Sequence, residues 1–364
     1  MEPIAALAFL GTLIFSAPAA LLPLLAAFNP RRIWVVRLTV LSIGLGPILL
    51  AFLVTTALTL VPGMSTTFYK GAVLGTLLVI VILARKERHR ARAALQYLVC
   101  SLTHRRERGP IFRLGVLTAL FIVMTLVGLS IAMPLDENDA LEYAGSARAI
   151  YNLGSAVSYP FLDSNITGGY YGPWSHALGY ISLQVWGFLI QGHAAEAGVI
   201  KLIAPFFALC TALVVWTWLG GARRTWAIWG AVVLLSTPLF YLSSSANQID
   251  AIRLFAFFGA GMILPLAWGT QRIMPLVACG AVAGSALFTH SIGILAIPIV
   301  GFVLLLKSPF GLRGSMRQAT IVCSVAIALV SYRLADNVIL FGSPIADVGA
   351  VPVYALPGLD WIGY

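Results

Sequence analysis

Long apolar stretches recur along the chain, and each is close to the length that crosses a lipid bilayer. A transmembrane helix needs about 20 mostly apolar residues. Windows of about 19 residues find ten candidate spans. They are 3–28, 38–61, 69–84, 111–133, 198–219, 225–243, 251–268, 273–289, 291–306 and 318–335. Only 10 % of the residues are charged, against about 25 % in soluble domains. The sequence therefore predicts an all-α, polytopic transmembrane helix bundle of about ten spans and excludes a soluble globular protein.

The cationic residues predict which loops face the cytoplasm. Lys and Arg concentrate in cytoplasmic loops, so the loop around Arg31, Arg32 and Arg37 and the basic segment 85–113 are placed inside. Five of the 23 Lys and Arg residues then lie outside: Lys70, Arg148, Lys201, Arg253 and Arg333. Most of the acidic residues fall outside as well. We expect a multi-pass plasma (inner) membrane protein, and the loop location of the cations argues against nucleic-acid binding.

The predicted spans divide the chain into four parts. An N-terminal three-helix part (1–84) precedes a basic cytoplasmic connector (85–110). A seven-helix core (111–335) follows and opens with a large outer loop, 134–197. The residues 336–364 form an outer tail.

The apolar stretch 176–191 in the outer loop is predicted to form a helix that lies on the outer membrane face. As an eleventh span it would place Arg223 and Arg224 outside and Asp250 inside, against the charge rule.

A cluster of carboxylates directly follows the fourth predicted span. It contains Asp136, Glu137, Asp139 and Glu142. Apolar residues then recur at helical spacing and predict an amphipathic surface helix that starts at Asp139: Leu141, Ala144, Ala147 and Tyr151. A carboxylate at a membrane boundary can act as a general base, which makes Asp136, Glu137 and Asp139 candidate catalytic residues. Asp139 and Glu142 also fit a helix capping box, which is a purely structural alternative.

Further candidate site residues follow along the chain. Tyr171, Trp174 and His176 could stack on and hydrogen-bond a sugar, or form an interfacial aromatic belt. Asp250 is an ionisable residue at a span end and hence a candidate catalytic residue. Its alternative is a local ion pair with Arg253. His290 could hydrogen-bond a phosphate, or be an ordinary interfacial histidine.

In their order, these segments resemble the GT-C superfamily of integral-membrane glycosyltransferases, which includes protein O-mannosyltransferases and lipid A aminoarabinose transferases. The acidic motif of that family is similar to Asp139, Tyr143 and Ala147, followed by Arg148, Gly154 and Pro160. Later matches are 171–174, Thr237-Pro238 with Tyr241 and Asp250, and 341–344. His290 stands where many relatives have Lys, and Ala140 replaces the second acid of the frequent D-E pair. The resemblance covers about 125–345 and leaves the first three spans unexplained.

The resemblance implies a hexosyl- or pentosyltransferase that moves a sugar from a polyprenyl-phosphate carrier to a glycan, lipid or protein acceptor on the extracytoplasmic side, as in cell-envelope glycan assembly. Asp139 would be the base, and Tyr143, Arg148, Arg253 and Arg333 would bind substrate. Arg148 follows Asp139 by nine residues, about two and a half helical turns, and is predicted to lie near the same helix face. No cofactor is implied with certainty, although some relatives use a divalent metal ion. Two alternatives stay open: a transporter or flippase of a lipid-linked substrate, and a non-catalytic lipid-binding protein.

The topology can be tested by cysteine labelling. In a background without the natural cysteines, single Cys residues at Ser164 and Gln191 should both react with a membrane-impermeant thiol reagent applied from outside. The expectation follows from the absence of a crossing between these positions. Protection of position 191 alone would contradict the predicted topology.

Overall fold

The computed structural model describes residues 2–103, 109–135, 138–159, 177–195, 197–219 and 224–341. In these ranges the chain forms α-helices and short 3-10 helices, without a strand. The α-helices are α1 (Pro3–Phe28), α2 (Arg32–Leu60), α3 (Thr66–Leu83), α4 (Arg88–Thr103), α5 (Pro110–Ala132), α6 (Asn138–Leu153), α7 (Leu178–Gln191), α8 (Ile203–Leu219), α9 (Arg224–Ser236), α10 (Pro238–Ser245), α11 (Asp250–Trp268), α12 (Ile273–Thr289), α13 (Ala296–Lys307) and α14 (Gly311–Phe341). The 3-10 helices are Arg85–Glu87, Gly198–Leu202 and Ser291–Leu295.

The predicted apolar stretches all lie in helices. Seven helical segments are long and apolar enough to cross a membrane, and α9 with α10 makes an eighth if this pair, bent by 64°, is one span. Helix α12, with 17 residues, and α13, with 12 residues, are apolar but shorter than these segments. Helices satisfy their own backbone hydrogen bonds, which a bilayer core requires. The chain is therefore a helical, multi-pass membrane protein.

One end of the bundle, here named the Asp250 end, contains the described residues 138–159, 177–195 and 197–202 and the loops that contact them. The Ala156 N–H donates to the Leu58 carbonyl at the end of α2, and the Gly63 N–H donates to the Gly154 carbonyl after α6. Lys201 Nζ donates to the Met133 carbonyl just after α5. The α2–α3 turn, the C-terminus of α5 and the segment that precedes α8 therefore lie together at this end.

The opposite end, here named the Arg37 end, joins the start of α2 to the end of α8 through a hydrogen bond from Arg37 to the Trp218 carbonyl. At the same end, Arg317 donates to the Gln271 carbonyl and side chain. Gln318 on α14 donates to carbonyls at the end of α11, those of Trp268 and Thr270. The loops are thus sorted between two ends, as the alternation of spans predicts.

The first helices are part of the same core as the later ones. Buried apolar residues from Ala5 to Val330 form one continuous cluster. A Cβ on Gly46 of α2 would lie 2.5 Å from backbone atoms of α1, and a Cβ on Gly44 would overlap the ring of Phe255 on α11. Helix α2 therefore packs closely on both sides and connects the N-terminal helices to the core.

Helix α6 confirms the helix predicted in the acidic segment, but its buried face differs from the prediction. Ala140, Tyr143, Ala144 and Ala147 are buried, whereas Leu141 is 49 % exposed. The predicted set with Leu141 is therefore wrong at that position, because α6 packs on α7 through its small residues and Tyr143. Close packing of small side chains is a common way for helices in membranes to approach each other.

The prediction that 176–191 forms a helix on the outer membrane surface is wrong about its surroundings. Every residue of α7 from Leu178 to Leu189 is buried, and α7 contacts α1, α2, α6 and α12. A helix of 14 residues is about 21 Å long, which is shorter than the roughly 30 Å hydrocarbon core of a bilayer. Helix α7 is thus an internal helix at the Asp250 end.

Two other segments, for which the sequence analysis gave no secondary structure, contain helix. The connector 85–110 contains a 3-10 helix and α4, which packs on α2 and α1. Its Arg, Ala, Leu and Gln residues favour helix. Helix α14 continues to Phe341 and so includes the first residues of the predicted tail. The remainder of that tail, 342–364, lies outside the described residues.

The close contact between α7 and α12 can be tested by adding one methyl group. A Cβ at Gly179 would lie 2.6 Å from the Phe288 carbonyl oxygen and 3.0 Å from the Thr289 Cα. Because both neighbours are backbone atoms, Gly179→Ala should separate the helices and destabilise the protein by about 1–3 kcal/mol. The measurement is the thermal unfolding midpoint in detergent.

The matched control is Gly261→Ala in α11, where a Cβ would meet no atom within 4 Å. This change should leave the midpoint unchanged or raise it, since Ala is a better helix former than Gly by about 0.5–1 kcal/mol. Equal midpoints for both variants would contradict the close approach of α7 and α12.

Candidate functional site

The acidic segment after α5 is described in part. Asp136 and Glu137 lie outside the described residues. Asp139 is the second residue of α6, so its backbone lies in the first helical turn, where a carboxylate interacts favourably with the helix dipole. Its side chain is not among the described parts of the chain. Tyr143 follows one turn later.

Tyr143 links α6 to α7. Its side chain is 2 % exposed, and its ring lies edge-on to the ring of Tyr180, with centroids 5.4 Å apart and planes at 86°. Edge-to-face pairs of this kind contribute about 0.5–1.5 kcal/mol beyond their buried area. The contact fixes the start of α6 against the start of α7.

Tyr180 in turn links α7 to the turn between α10 and α11. Its hydroxyl oxygen lies 2.6 Å from the backbone carbonyl oxygen of Asn247 and 2.9 Å from the Asn247 Oδ1. Burial raises the pKa of Tyr180 far above its ordinary value, so the hydroxyl stays protonated and donates. Asn247 has φ +59°, a left-handed conformation that Asn adopts more readily than most residues.

Asp250 begins α11, three residues after Asn247, and forms an ion pair with Arg253 one turn later. The local pair that sequence analysis gave as the alternative for Asp250 is therefore present. The side chains of Arg253 and Asp250 are 32 % and 29 % exposed. Partly exposed pairs contribute little to stability, about 0–1 kcal/mol, so this pair leaves both residues available for a ligand.

Two side-chain contacts and a short stretch of chain thus bring the two acidic regions of the sequence to one place. They run from Tyr143 to Tyr180, from Tyr180 to Asn247, and along three residues to Asp250. Buried polar groups line this connection. Ser244 Oγ and Asn247 Nδ2 have no hydrogen-bond partner within the described ranges, and the fully buried Gln184 adjoins the Tyr180 hydroxyl. Such groups require partners such as water or the hydroxyls of a substrate.

The cations at this end have different surroundings. Lys201 Nζ donates to the carbonyls of Ile131 and Met133 at the C-terminus of α5, so it completes a helix end. Arg148 is exposed and makes a long hydrogen bond, 3.4 Å, to the Ala195 carbonyl. The side chain of Arg333 on α14 lies outside the described part.

The prediction that Arg148 lies near the same helix face as Asp139 is wrong. Both residues belong to one continuous helix, in which nine residues make two and a half turns. Positions 139 and 148 therefore lie on opposite sides of the α6 axis, about 13 Å apart along it. The nine-residue spacing puts both residues on one helix, but half a turn apart and therefore not on one side of it.

His290 ends α12 and caps the following 3-10 helix. Its Nδ1 accepts a hydrogen bond from the Ile292 N–H at 3.0 Å. This hydrogen bond gives His290 a structural role, which agrees with the alternative to phosphate binding, an ordinary interfacial histidine. The predicted aromatic residues Tyr171, Trp174 and His176 lie outside the described residues.

Sequence analysis missed Tyr180, Gln184 and Asn247. All three are polar residues in or between apolar helices, and that was the available signal, because polar side chains inside a membrane protein are expensive unless partnered. Among the described residues, no three His, Cys, Asp or Glu side chains lie close enough to hold a metal ion.

Removal of the Tyr180 hydroxyl tests the connection between α7 and the α10–α11 turn. Tyr180→Phe leaves two Asn247 oxygens without their donor and should destabilise the protein by about 1–3 kcal/mol. The measurement is the thermal midpoint in detergent. Tyr151→Phe is the control, since its hydroxyl has no hydrogen-bond partner in the described structure. A Tyr180→Phe midpoint equal to that of the control would show that the bond is not formed.

Comparisons with known proteins give no relative. No protein-family model matches the chain, and neither a curated protein nor a solved structure does.

Proposed function

We propose that the protein is a membrane glycosyltransferase of the GT-C type. It transfers a sugar from a polyprenyl-phosphate carrier to an acceptor hydroxyl at the Asp250 end, and this end faces the extracytoplasmic side. The proposal rests on the sequence resemblance and on the contacts of α6, α7 and α11. The sugar and the acceptor are left open.

The observation that carries the proposal is the link from α6 through Tyr180 to Asn247. It brings the helix that begins beside Asp139 to the turn that precedes Asp250. These are the two segments in which the sequence resembles the acidic elements of the family. Their meeting at one end of the bundle is what a shared substrate cavity requires.

The proposed reaction has one base and one leaving group. The acceptor hydroxyl oxygen attacks the anomeric carbon of the sugar, and the bond from that carbon to the carrier phosphate oxygen breaks. Asp139 takes the proton of the attacking hydroxyl as general base. The phosphate leaves with the electron pair of the broken bond. Transfer by this direct displacement inverts the anomeric configuration.

The leaving phosphate needs cationic partners near the base. Arg253 meets this requirement better than Arg148, because Arg253 follows the Asn247 turn, whereas Arg148 projects from the other side of α6. Arg253 binds Asp250 through one terminal nitrogen, and a guanidinium has further N–H groups for a phosphate. Asp250 then orients Arg253, and Arg333 is a second candidate ligand.

Transport of a lipid-linked substrate is the second candidate function. It is favoured by the break between α9 and α10, where Pro238 begins the second half and the axis bends by 64°. Broken helices line substrate sites in many transporters. A panel of radiolabelled polyprenyl-phosphate sugars separates the two functions. Transfer of label to an acceptor by the purified protein supports the enzyme, and movement of unmodified donor between vesicle leaflets supports the transporter.

Asp139→Asn tests the role of the base. The change keeps the side-chain size and its ability to cap a helix but removes the proton acceptor. The transfer rate with the active donor should fall by about 100- to 10,000-fold, while the thermal midpoint and donor affinity stay near those of the unmodified protein.

Glu87→Gln is the matched control, because it removes one negative charge at the Arg37 end, where Glu87 pairs with Arg90. Its transfer rate should be unchanged. A rate above about a tenth of normal for Asp139→Asn would contradict the general-base role, and a lowered midpoint with normal activity would assign Asp139 to helix capping.

A further inference from the structure

Arg37 packs against two adjacent tryptophan rings at the Arg37 end. Its guanidinium carbon is 5.0 Å from the centre of the Trp34 ring and 4.4 Å from that of Trp218. The two indoles lie edge to face, with centroids 5.3 Å apart. A cation within about 6 Å of an indole face is attracted by the ring, so the two rings hold the guanidinium in one orientation.

The Arg37 charge lacks an anionic partner. One terminal nitrogen donates to the Trp218 carbonyl at 3.3 Å, which is long for such a bond. The Nε is buried and without an acceptor. Within the described ranges no carboxylate lies within ion-pair distance of Arg37. The guanidinium is thus partly removed from water and only weakly compensated by the chain.

This cation lies where lipid headgroups are found. The apolar part of α2 begins at Ile33, and the apolar helix that includes α8 ends at Leu219. Trp34, Arg37 and Trp218 are therefore within about two turns of the membrane boundary. Tryptophan is enriched at this level of the bilayer.

A cleft opens beside the guanidinium. It is shallow and has room for about one water molecule. Trp34, Thr217 and Trp218 line it together with the apolar side chains of Leu38, Leu41 and Met262. The cleft therefore places one cation beside buried apolar side chains and leaves the guanidinium side open to a small anionic group.

We propose that Arg37, packed against Trp34 and Trp218, binds the phosphate of an anionic membrane lipid at the Arg37 end. The lipid phosphate supplies the counter-charge that the described residues do not. A guanidinium donates to phosphate with two parallel N–H groups, which a lysine cannot do. The site lies at the end opposite to Asp250 and does not depend on the proposed glycosyl transfer.

The surroundings favour a lipid over a free anion. Arg85, Lys86, Arg88, Arg90 and Arg92 are exposed in the segment that leads into α4, and α4 packs on α2, the helix of Arg37. Basic residues beside a membrane attract anionic lipids by about 1 kcal/mol each. They raise the local concentration of anionic headgroups, whereas a soluble phosphate is not held at the membrane surface.

Native mass spectrometry of the purified, delipidated full chain tests the proposal. Dioleoyl phosphatidylglycerol is added, and dioleoylglycerol, which has the same acyl chains without phosphate, is added in parallel. The unmodified protein should retain one phosphatidylglycerol more tightly than it retains dioleoylglycerol. Arg37→Gln should weaken the phosphatidylglycerol affinity by about 10- to 100-fold, as expected for loss of a charged hydrogen bond.

Arg313→Gln is the control, because Arg313 is an exposed cation at the same end without a partner in the described chain. Its affinity should change by less than about twofold, since exposed charges are screened by salt. Equal effects of the two variants would overturn the site and leave only general attraction to a basic surface. Displacement of the lipid by millimolar glycerol 3-phosphate would overturn the lipid as ligand and assign the site to a soluble phosphate.

A second variant covers the case in which Arg37→Gln does not fold because α8 loses its cap. Trp34→Leu keeps the hydrogen bond from Arg37 to the Trp218 carbonyl and removes the indole ring of Trp34. Phosphatidylglycerol affinity should fall by about 2- to 30-fold, the range of one cation–π contact, with dioleoylglycerol retention unchanged. Unchanged phosphatidylglycerol affinity in this variant would mean that the rings serve only to pack Arg37 on α8.

Discussion

Because a bilayer core offers peptide and side-chain polar groups no water, each such group of a buried helix must find its partner in the protein. Helix α7 shows how strongly this condition acts. Ser182 bonds Thr55 of α2, Trp186 donates to Thr12 of α1, and Tyr180 donates to Asn247. These bonds, on different sides of one helix, fix its rotation and height. The arrangement of α6, α2 and the start of α11 at the Asp250 end depends on them.

Hydropathy predicts the spans because the bilayer imposes a length and a composition on each segment. It cannot predict where α7 lies, since an apolar helix has the same composition on a membrane surface, across a membrane or inside a bundle. Only contacts such as that of Gly179 with the α12 backbone distinguish these cases. Leu141 shows the same limit on a smaller scale, because the small residues of α6 turn toward α7 and leave a larger apolar side chain exposed.

The contacts of the candidate site also divide into those that local sequence spacing predicts and those that it does not. The pair of Asp250 and Arg253 could be predicted because its members are one helical turn apart. Lys201 could not, since its acceptors are carbonyls that lie 68 and 70 residues earlier in the chain. The bond from Tyr180 to Asn247 spans 67 residues, and no local pattern reports such a distance. What the sequence does contain is the unusual presence of Asn247, Gln184 and Ser244 among apolar residues, which marks them as polar groups that need a distant residue, water or a ligand as partner.

The last carbonyls of three helices accept hydrogen bonds from side chains of other helices. Lys201 donates at the end of α5, Arg37 at the end of α8 and Gln318 at the end of α11. Terminal carbonyls need such partners, and a chain is made from its N-terminus onward. When α8 emerges from the ribosome, Arg37 has already been synthesised. The ends of α5 and α11 must instead wait for residues that are made later, about 70 and 50 positions downstream. Biogenesis therefore leaves these two helices incomplete for a time, so a chain truncated before Gln318 would expose the unfinished end of α11 to the quality-control proteases of the membrane.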